Sequence, residues 1–215
     1  MTGASGFDLA TVDKLLTTTR AVRKRLDLTR PVELDVVMEC LRIAIQAPTG
    51  SNMQTWRWIV VNDPDVRGKL ADLYQSAARN TIGRAEPAMT PTAQQQRVMD
   101  SANYLVDHIH EVPVLVVPCV EAVGGAAGWA PSIYPAVWSF MLALRSRGLG
   151  TVTTTVHLYR RDEADELLGV PEGFVQACLL PVAYHTGDDF KPADRRPIEE
   201  VAFLDHWGTP TPTSR

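Results

Sequence analysis

The sequence predicts an α+β fold, with helices layered on a small central sheet in one domain. Three observations carry this. The chain has 215 residues, enough for one large domain with a sizeable core. Apolar residues recur at helical spacing along most of its length, so helices dominate. The strands are few, and two of them, VPVLVVPCV (112–120) and FVQACLLPVAYH (174–185), are continuous apolar runs that need cover on both faces.

The elements follow in order. Residues 9–19 place Leu9, Val12, Leu15 and Leu16 at helical spacing. After RPVELDVV, Leu34, Val37, Met38, Leu41, Ala44 and Ile45 form a core-facing stripe that Pro48 ends. WRWIVVN (56–62) is β-branched and aromatic and reads as a strand. Asp63 can cap a helix that begins at Pro64 and carries Val66, Leu70 and Leu73. Residues 80–93 are turn-rich and read as an irregular excursion; 94–111 read as a helix. After the strand at 112–120, GGAAG (124–128) is a loop. Ser132 then caps a helix through Arg147, with Ile133, Ala136, Val137, Phe140, Met141 and Leu144 inward. GLGTVTTTVH (148–157) is a threonine-rich extended segment. RDEADELLG is a short helix capped by Asp162 and ended by Gly169. The residues from about 190 to 215 carry proline and charge and read as an arm.

Composition narrows the function classes. A net charge of −4 with a pI near 5.7 leaves no overall basic footprint for nucleic acid. No stretch approaches the ~20 apolar residues of a membrane helix. The first residues, MTGASGFDLA, lack the basic-then-apolar pattern of a signal peptide. Cys40, Cys119 and Cys178 sit far apart in apolar runs and read as buried free thiols of a reducing compartment, so a cytoplasmic protein is expected.

Several chemistries are missing. No G-x-G-x-x-G follows a strand, and there is no P-loop, nucleophile elbow or C-x-x-C. Gly148-Leu149-Gly150 follows a helix, the wrong context for a dinucleotide fingerprint. His108 and His110 lie two apart, so on a helix they diverge and cannot share a metal; no metal site is expected. No acid/base pair or triad stands out, so any reactive centre is something the protein binds.

Four stretches remain. In TTTRAVRKR, Arg20 and Arg23 lie three apart, a spacing that suits a phosphate and equally a solvated basic face. In APTGSNMQTW, Thr49, Gly50, Ser51, Asn52 and Gln54 gather hydroxyls, amides and backbone groups between a helix and a strand. That loop could meet the edge of a planar heteroaromatic ring, or be an ordinary helix exit. GTVTTT (150–155) is a threonine-rich strand or a donor-lined ligand wall. RRP (195–197) is a second arginine pair or a charged tail.

Their order along the chain resembles the FMN-dependent nitroreductase family: an R-x-x-R turn, then an A-P-[ST]-x-x-N-x-Q-x-W loop with a hydrophobic strand, then G-L-G with a polar strand, then a late arginine beside proline. The resemblance runs from about Leu15 to Pro197 and is most specific at 47–56. It implies a three-layer α/β/α fold around a mixed, mainly antiparallel sheet, a single FMN-binding domain over 1–215, and an intertwined homodimer. It implies that Arg20, Ala21 and Arg23 hold the flavin phosphate and ribityl chain. Pro48, Thr49, Gly50, Ser51, Asn52 and Gln54 reach the same flavin from the partner subunit. Gly150, Thr151, Val152, Thr153 and Thr154 line the ring, and Arg196, or else Arg195, closes on the phosphate.

The implied activity is ping-pong hydride transfer through flavin N5, from NADPH or NADH to a nitroaromatic, quinone or similar small-molecule acceptor. Alternatives are dehalogenation, enone reduction, flavin fragmentation, or a non-catalytic flavin-binding homodimer. The excursion at 80–95 and the loop at 121–131 are expected to form the acceptor pocket, with Trp129 and Tyr134 as walls. The chain departs from the family pattern at Thr19 to Ala21, where two arginines and a serine are usual. It departs again at Arg25, in place of an aromatic, at Thr49, in place of serine, and at Thr55, in place of proline.

Overall fold

The structure, a computed structural model, describes residues 6–81, 91–122 and 131–211. Two helices open the chain, α1 (Leu9–Thr18) and α2 (Leu34–Ala44). Strand β1 (Trp56–Val61) leads into α3 (Pro64–Thr81), and α4 (Ala93–His108) into β2 (Val114–Glu121). Helix α5 (Ile133–Arg145) precedes the two-residue β3 (Leu149–Gly150); α6 (Arg161–Leu168) precedes β4 (Phe174–Gln176) and β5 (Leu180–Tyr184). The sheet order is β1-β2-β5-β3, with β4 also paired to β2, and every one of these pairings is antiparallel.

Strand β2 explains the layering. Its side chains alternate between two cores. Val114, Val116 and Val120 face α2 and α5, among Val37, Cys40, Leu41, Phe140 and Leu144. Leu115, Val117 and Cys119 face α3, α4 and α6, among Leu70, Tyr74, Leu105 and Ala164. A strand buried on both faces between two helical layers is the α/β/α arrangement expected from its continuous apolar run.

Local signals hold at several ends. Asp63 Oδ1 accepts from Asp65 N and Val66 N, both at 3.0 Å, and so caps α3. Gly169 ends α6 at φ 65, a left-handed conformation that costs other residues more.

Five expectations need correction. Val37, Leu41 and Ala44 of the α2 stripe are buried, but Leu34, Met38 and Ile45 are 41%, 42% and 42% exposed; Cys40 completes the inward face instead. Ser132 does not cap α5: its own dihedrals are helical, and its hydroxyl accepts from Gly50 N at 3.1 Å. Asp162 lies inside the first turn of α6, where its charge suits the helix dipole without capping it. The run at 174–185 is two strands, not one. Pro118 in β2 has no N–H to donate; its carbonyl takes Ala177 N at 2.8 Å, and the chain bulges there before rejoining the sheet at Leu180. The threonine-rich segment is likewise only briefly a strand: Thr154 makes a single bridge to Leu179, and Val156–Arg160 is a 3-10 turn.

Candidate functional site

The arginine turn docks on the chain as it leaves β3. Val22 N donates to Thr151 O at 2.9 Å, and Gly150 lies so close that a Cβ there would stand 2.8 Å from Val22 Cγ1. Only a glycine permits that approach. The turn and the 150–154 segment therefore form one unit. Arg20 Nη1 donates to Lys191 O at 3.2 Å, and Ala21 is exposed. Arg23 is half-buried, and burial lowers its pKa; its guanidinium has no hydrogen bond or ion pair among the described residues.

Beside Arg23 stands Tyr74 from α3, a buried residue whose hydroxyl lies 3.0 Å from Thr154 Oγ1. Thr151 Oγ1 is buried without a partner among the described residues. The Val152 side chain is in the core, which leaves only its backbone for a ligand. Thr153 donates to Met141 Sδ at 3.4 Å.

The second unit is the loop after α2. Gly50–Asn52 is a 3-10 turn, and Ser51, Asn52 and Gln54 have φ of 50, 55 and 51. Left-handed conformations in non-glycine residues cost of order 1–3 kcal/mol each, so three within four residues mark a strained loop. Its own bonds hold it: Gln54 Nε2 donates to Asn52 Oδ1 at 3.0 Å, Gln54 N to Thr49 Oγ1 at 3.3 Å, and Gly50 N to Ser132. Pro48, Gly50, Ser51, Asn52 and Gln54 are exposed. In these exposed side chains the Asn52 amide nitrogen and the Gln54 amide oxygen have no hydrogen-bond partner among the described residues.

One chain does not bring these two units together. The loop is tied to Ser132 at the start of α5, whereas Gly150 follows the end of that helix, and 13 residues of helix span about 20 Å. The sheet gives the same separation. Trp56, after the loop, pairs with Val120; Gly150 pairs with Ala183, next to the Val182–Val114 pair, six residues back along β2.

The late arginines stand apart. Arg195 Nη1 donates to Asp194 O at 3.2 Å; Arg196 is exposed, and neither contacts Arg20 or Arg23 among the described residues. The chain just before them is nonetheless pinned to the turn. Phe190 lies between two guanidiniums, with Arg25 Cζ 4.1 Å and Arg145 Cζ 4.2 Å from its ring, and Arg25 pairs with Asp189 at 2.9 Å. Arg25, which stands in place of an aromatic, thus itself packs against one, Phe190.

Of the expected acceptor walls, Trp129 and most of the two segments lie outside the described residues. Tyr134 donates to Ala177 O at 3.4 Å and borders a cavity of about 240 Å³ with Thr155, Leu158, Arg161, Val175, Gln176 and Ala177. The cysteines are not reactive centres: burial pushes Cys40 up to about 11 and Cys119 and Cys178 to about 12. Among the described residues no histidine, cysteine and carboxylate cluster could hold a metal, and no helix is long and apolar enough to cross a membrane.

Sequence reasoning missed Tyr74, Ser132 as the loop's anchor, and the Phe190 clamp. Tyr74 lies beside the Val66, Leu70 and Leu73 stripe, and nothing in its spacing points to Thr154. Nothing in the spacing of Ser132 or Phe190 points to its partners.

Comparison with known proteins adds the family. The Nitroreductase family pattern matches residues 16–184. An iodotyrosine deiodinase from Thermotoga neapolitana is 27% identical over 168 residues, 78% of this chain and 84% of that protein. Human iodotyrosine deiodinase 1 is 26% identical over 180 residues, and the match spans 61% of its length. Among solved structures, oxidised iodotyrosine deiodinase bound to FMN and 3-iodo-L-tyrosine superposes with a TM-score of 0.69 at 23% identity, over 92% of this chain and 99% of that one. The FMN-dependent nitroreductase NfnB from Mycobacterium smegmatis, in complex with NADPH, gives 0.68 at 18%, over 93% and 100%. At these identities the superpositions show the fold.

Proposed function

The chain belongs to the nitroreductase family, and from that premise we propose that it is an FMN-dependent NAD(P)H oxidoreductase, working as a homodimer in the cytoplasm on a small oxidised acceptor. One observation carries the cofactor assignment: Arg23, a half-buried cation with no counter-charge of its own, on a turn fused to a threonine-lined segment. A buried charge without a partner is costly, and an anionic ligand relieves it. The residues present therefore fit FMN. Arg20 and Arg23 would hold its phosphate, Gly150 to Thr154 would flank its ring, and the loop from Pro48 to Gln54 would reach it from the partner subunit. Arg196, on the arm pinned at Phe190, would close over the phosphate.

When bound, FMN supplies the hydride chemistry. The chain's contribution is to bind and orient. The guanidiniums neutralise the phosphate, and the strained loop presents preformed amide and hydroxyl groups that need no reorganisation. The exposed Leu34, Met38 and Ile45 of α2 are the surface a second copy would cover, and pairing two copies resolves the 20 Å gap between half-sites.

A second reading rests on the deiodinase relatives: reductive removal of halide from a halogenated phenol by the same bound cofactor. Anaerobic titration of the FMN-loaded protein with NADPH and with NADH tests the first. The visible flavin band should bleach with one or both and return on adding a nitroaromatic or quinone. A flavin that neither nicotinamide bleaches excludes the oxidoreductase reading. If dithionite-reduced protein is then reoxidised by 3-iodotyrosine or a halophenol, the second reading stands.

A further inference from the structure

We propose that Tyr74 is a positioning residue of the cofactor groove: its phenol donates to Thr154 Oγ1 and thereby commits the Thr154 hydroxyl to donate to whatever lies along residues 150–154. The proposal rests on the flavin reading of that groove.

On the 3.0 Å distance alone either oxygen could be the donor. Three features decide it. Arg23 and the phenol lie near enough for their charges to interact, and a guanidinium offers only donors. A phenol proton aimed at that cation would be repelled, so the phenol turns its lone pairs to Arg23 and its proton away. Second, Thr154 Oγ1 is the acceptor within the phenol's reach among the described residues. Third, the Thr154 backbone cannot compete for its own side chain. Its N–H donates to Leu179 O at 3.0 Å, and its carbonyl accepts Leu179 N at 2.7 Å. Burial pushes the Tyr74 phenol above its ordinary pKa, so it keeps its proton at neutral pH. A hydroxyl that has accepted one hydrogen bond keeps its proton for another partner, and Thr154 is only partly buried.

The groove thus presents Arg23 at one point and a directed hydroxyl donor at another. Both favour an electron-rich ligand, and the reduced, more anionic flavin is favoured over the oxidised one. Tyr74 acts at one remove, through Thr154.

The test uses the FMN-loaded protein, with Tyr74→Phe, Thr154→Val, the double variant and Thr154→Ser. The readouts are FMN affinity, the visible flavin spectrum and the midpoint potential. Tyr74→Phe keeps the ring's packing, and should weaken FMN binding about 3- to 10-fold, on the scale of one hydrogen bond, and lower the potential. Thr154→Val should do at least as much, and adding Tyr74→Phe to it should change nothing further. Thr154→Ser should stay near wild type. A Tyr74→Phe protein with wild-type affinity and potential overturns the proposal, as do effects that simply add. If Tyr74→Phe folds poorly, Thr154→Ser and Thr154→Val carry the test, and equal behaviour of those two overturns it. A wild-type protein that stays colourless in excess FMN defeats the flavin reading itself, an outcome distinct from all of these.

Discussion

At Arg23 the chain keeps a guanidinium half out of water with no carboxylate beside it, and at His157 it does the reverse, burying a titratable ring that must stay neutral. The first gives a direct prediction. Arg20→Ala and Arg23→Ala should each cost about 1.5–3 kcal/mol of FMN affinity, the worth of a charge-assisted hydrogen bond, read by flavin fluorescence on dilution. Arg23→Ala should leave the thermal stability of the apo-protein unchanged or raised, because it removes an unpaired buried charge. Unaltered FMN retention in both would move the phosphate elsewhere. His157 is fully buried, and Gln176 Oε1 faces its ring outside hydrogen-bond geometry. Burial pulls its pKa down to about 4. Below the ordinary value of 6.5 the unfolded chain takes up a proton that the folded chain refuses. Stability therefore falls as pH drops from about 6.5 towards 4, by roughly 3 kcal/mol in all. Urea unfolding at pH 7.5, 5.5 and 4.5 should show that slope in the wild type and a flatter one in His157→Leu.

Among the elements, the loop from Thr49 to Gln54 is where backbone strain gathers. Asn52→Gly should relieve one left-handed residue and raise the melting temperature, worth about 1 kcal/mol, while loosening FMN by loss of the amide. A variant that gained stability without losing flavin would show that the strain serves no site. That strain was not legible in the sequence. APTGSNMQTW announces a polar turn, but Ser51, Asn52 and Gln54 are not residues whose identity demands positive φ, as glycine's would. The helices were legible, because caps and 3.6-residue periodicity are local. The break at Ala177 was not, because it depends on Pro118 sitting opposite, 59 positions away. The α2 stripe was half legible for a related reason: periodicity shows which residues avoid water, not whether their own chain or another covers them. The arginine turn and the Gly150 segment are separate motifs in the sequence, and the contact between Val22 and Gly150 that fuses them is tertiary.

For the whole molecule, the exposed apolar face of α2 sets the oligomer test. Met38→Glu puts a charge on that face without touching the core, so the chain should fold but run as a monomer on size exclusion, and a monomer should release FMN. Helix α5 then acquires a meaning beyond packing. If the proposed flavin site is right, α5 carries a loop half at one end and an arginine half at the other, so no site would be built from one chain, and every chain would serve two. Two defective chains should therefore rescue each other. A chain lacking Arg20 and Arg23, refolded with a chain lacking the Asn52 and Gln54 amides, yields hybrids in which one pocket combines both defects and the other combines neither. Such a mixture should regain flavin at up to one per hybrid pair although neither parent retains any, which is the complementation that a shared pocket permits and a private one forbids.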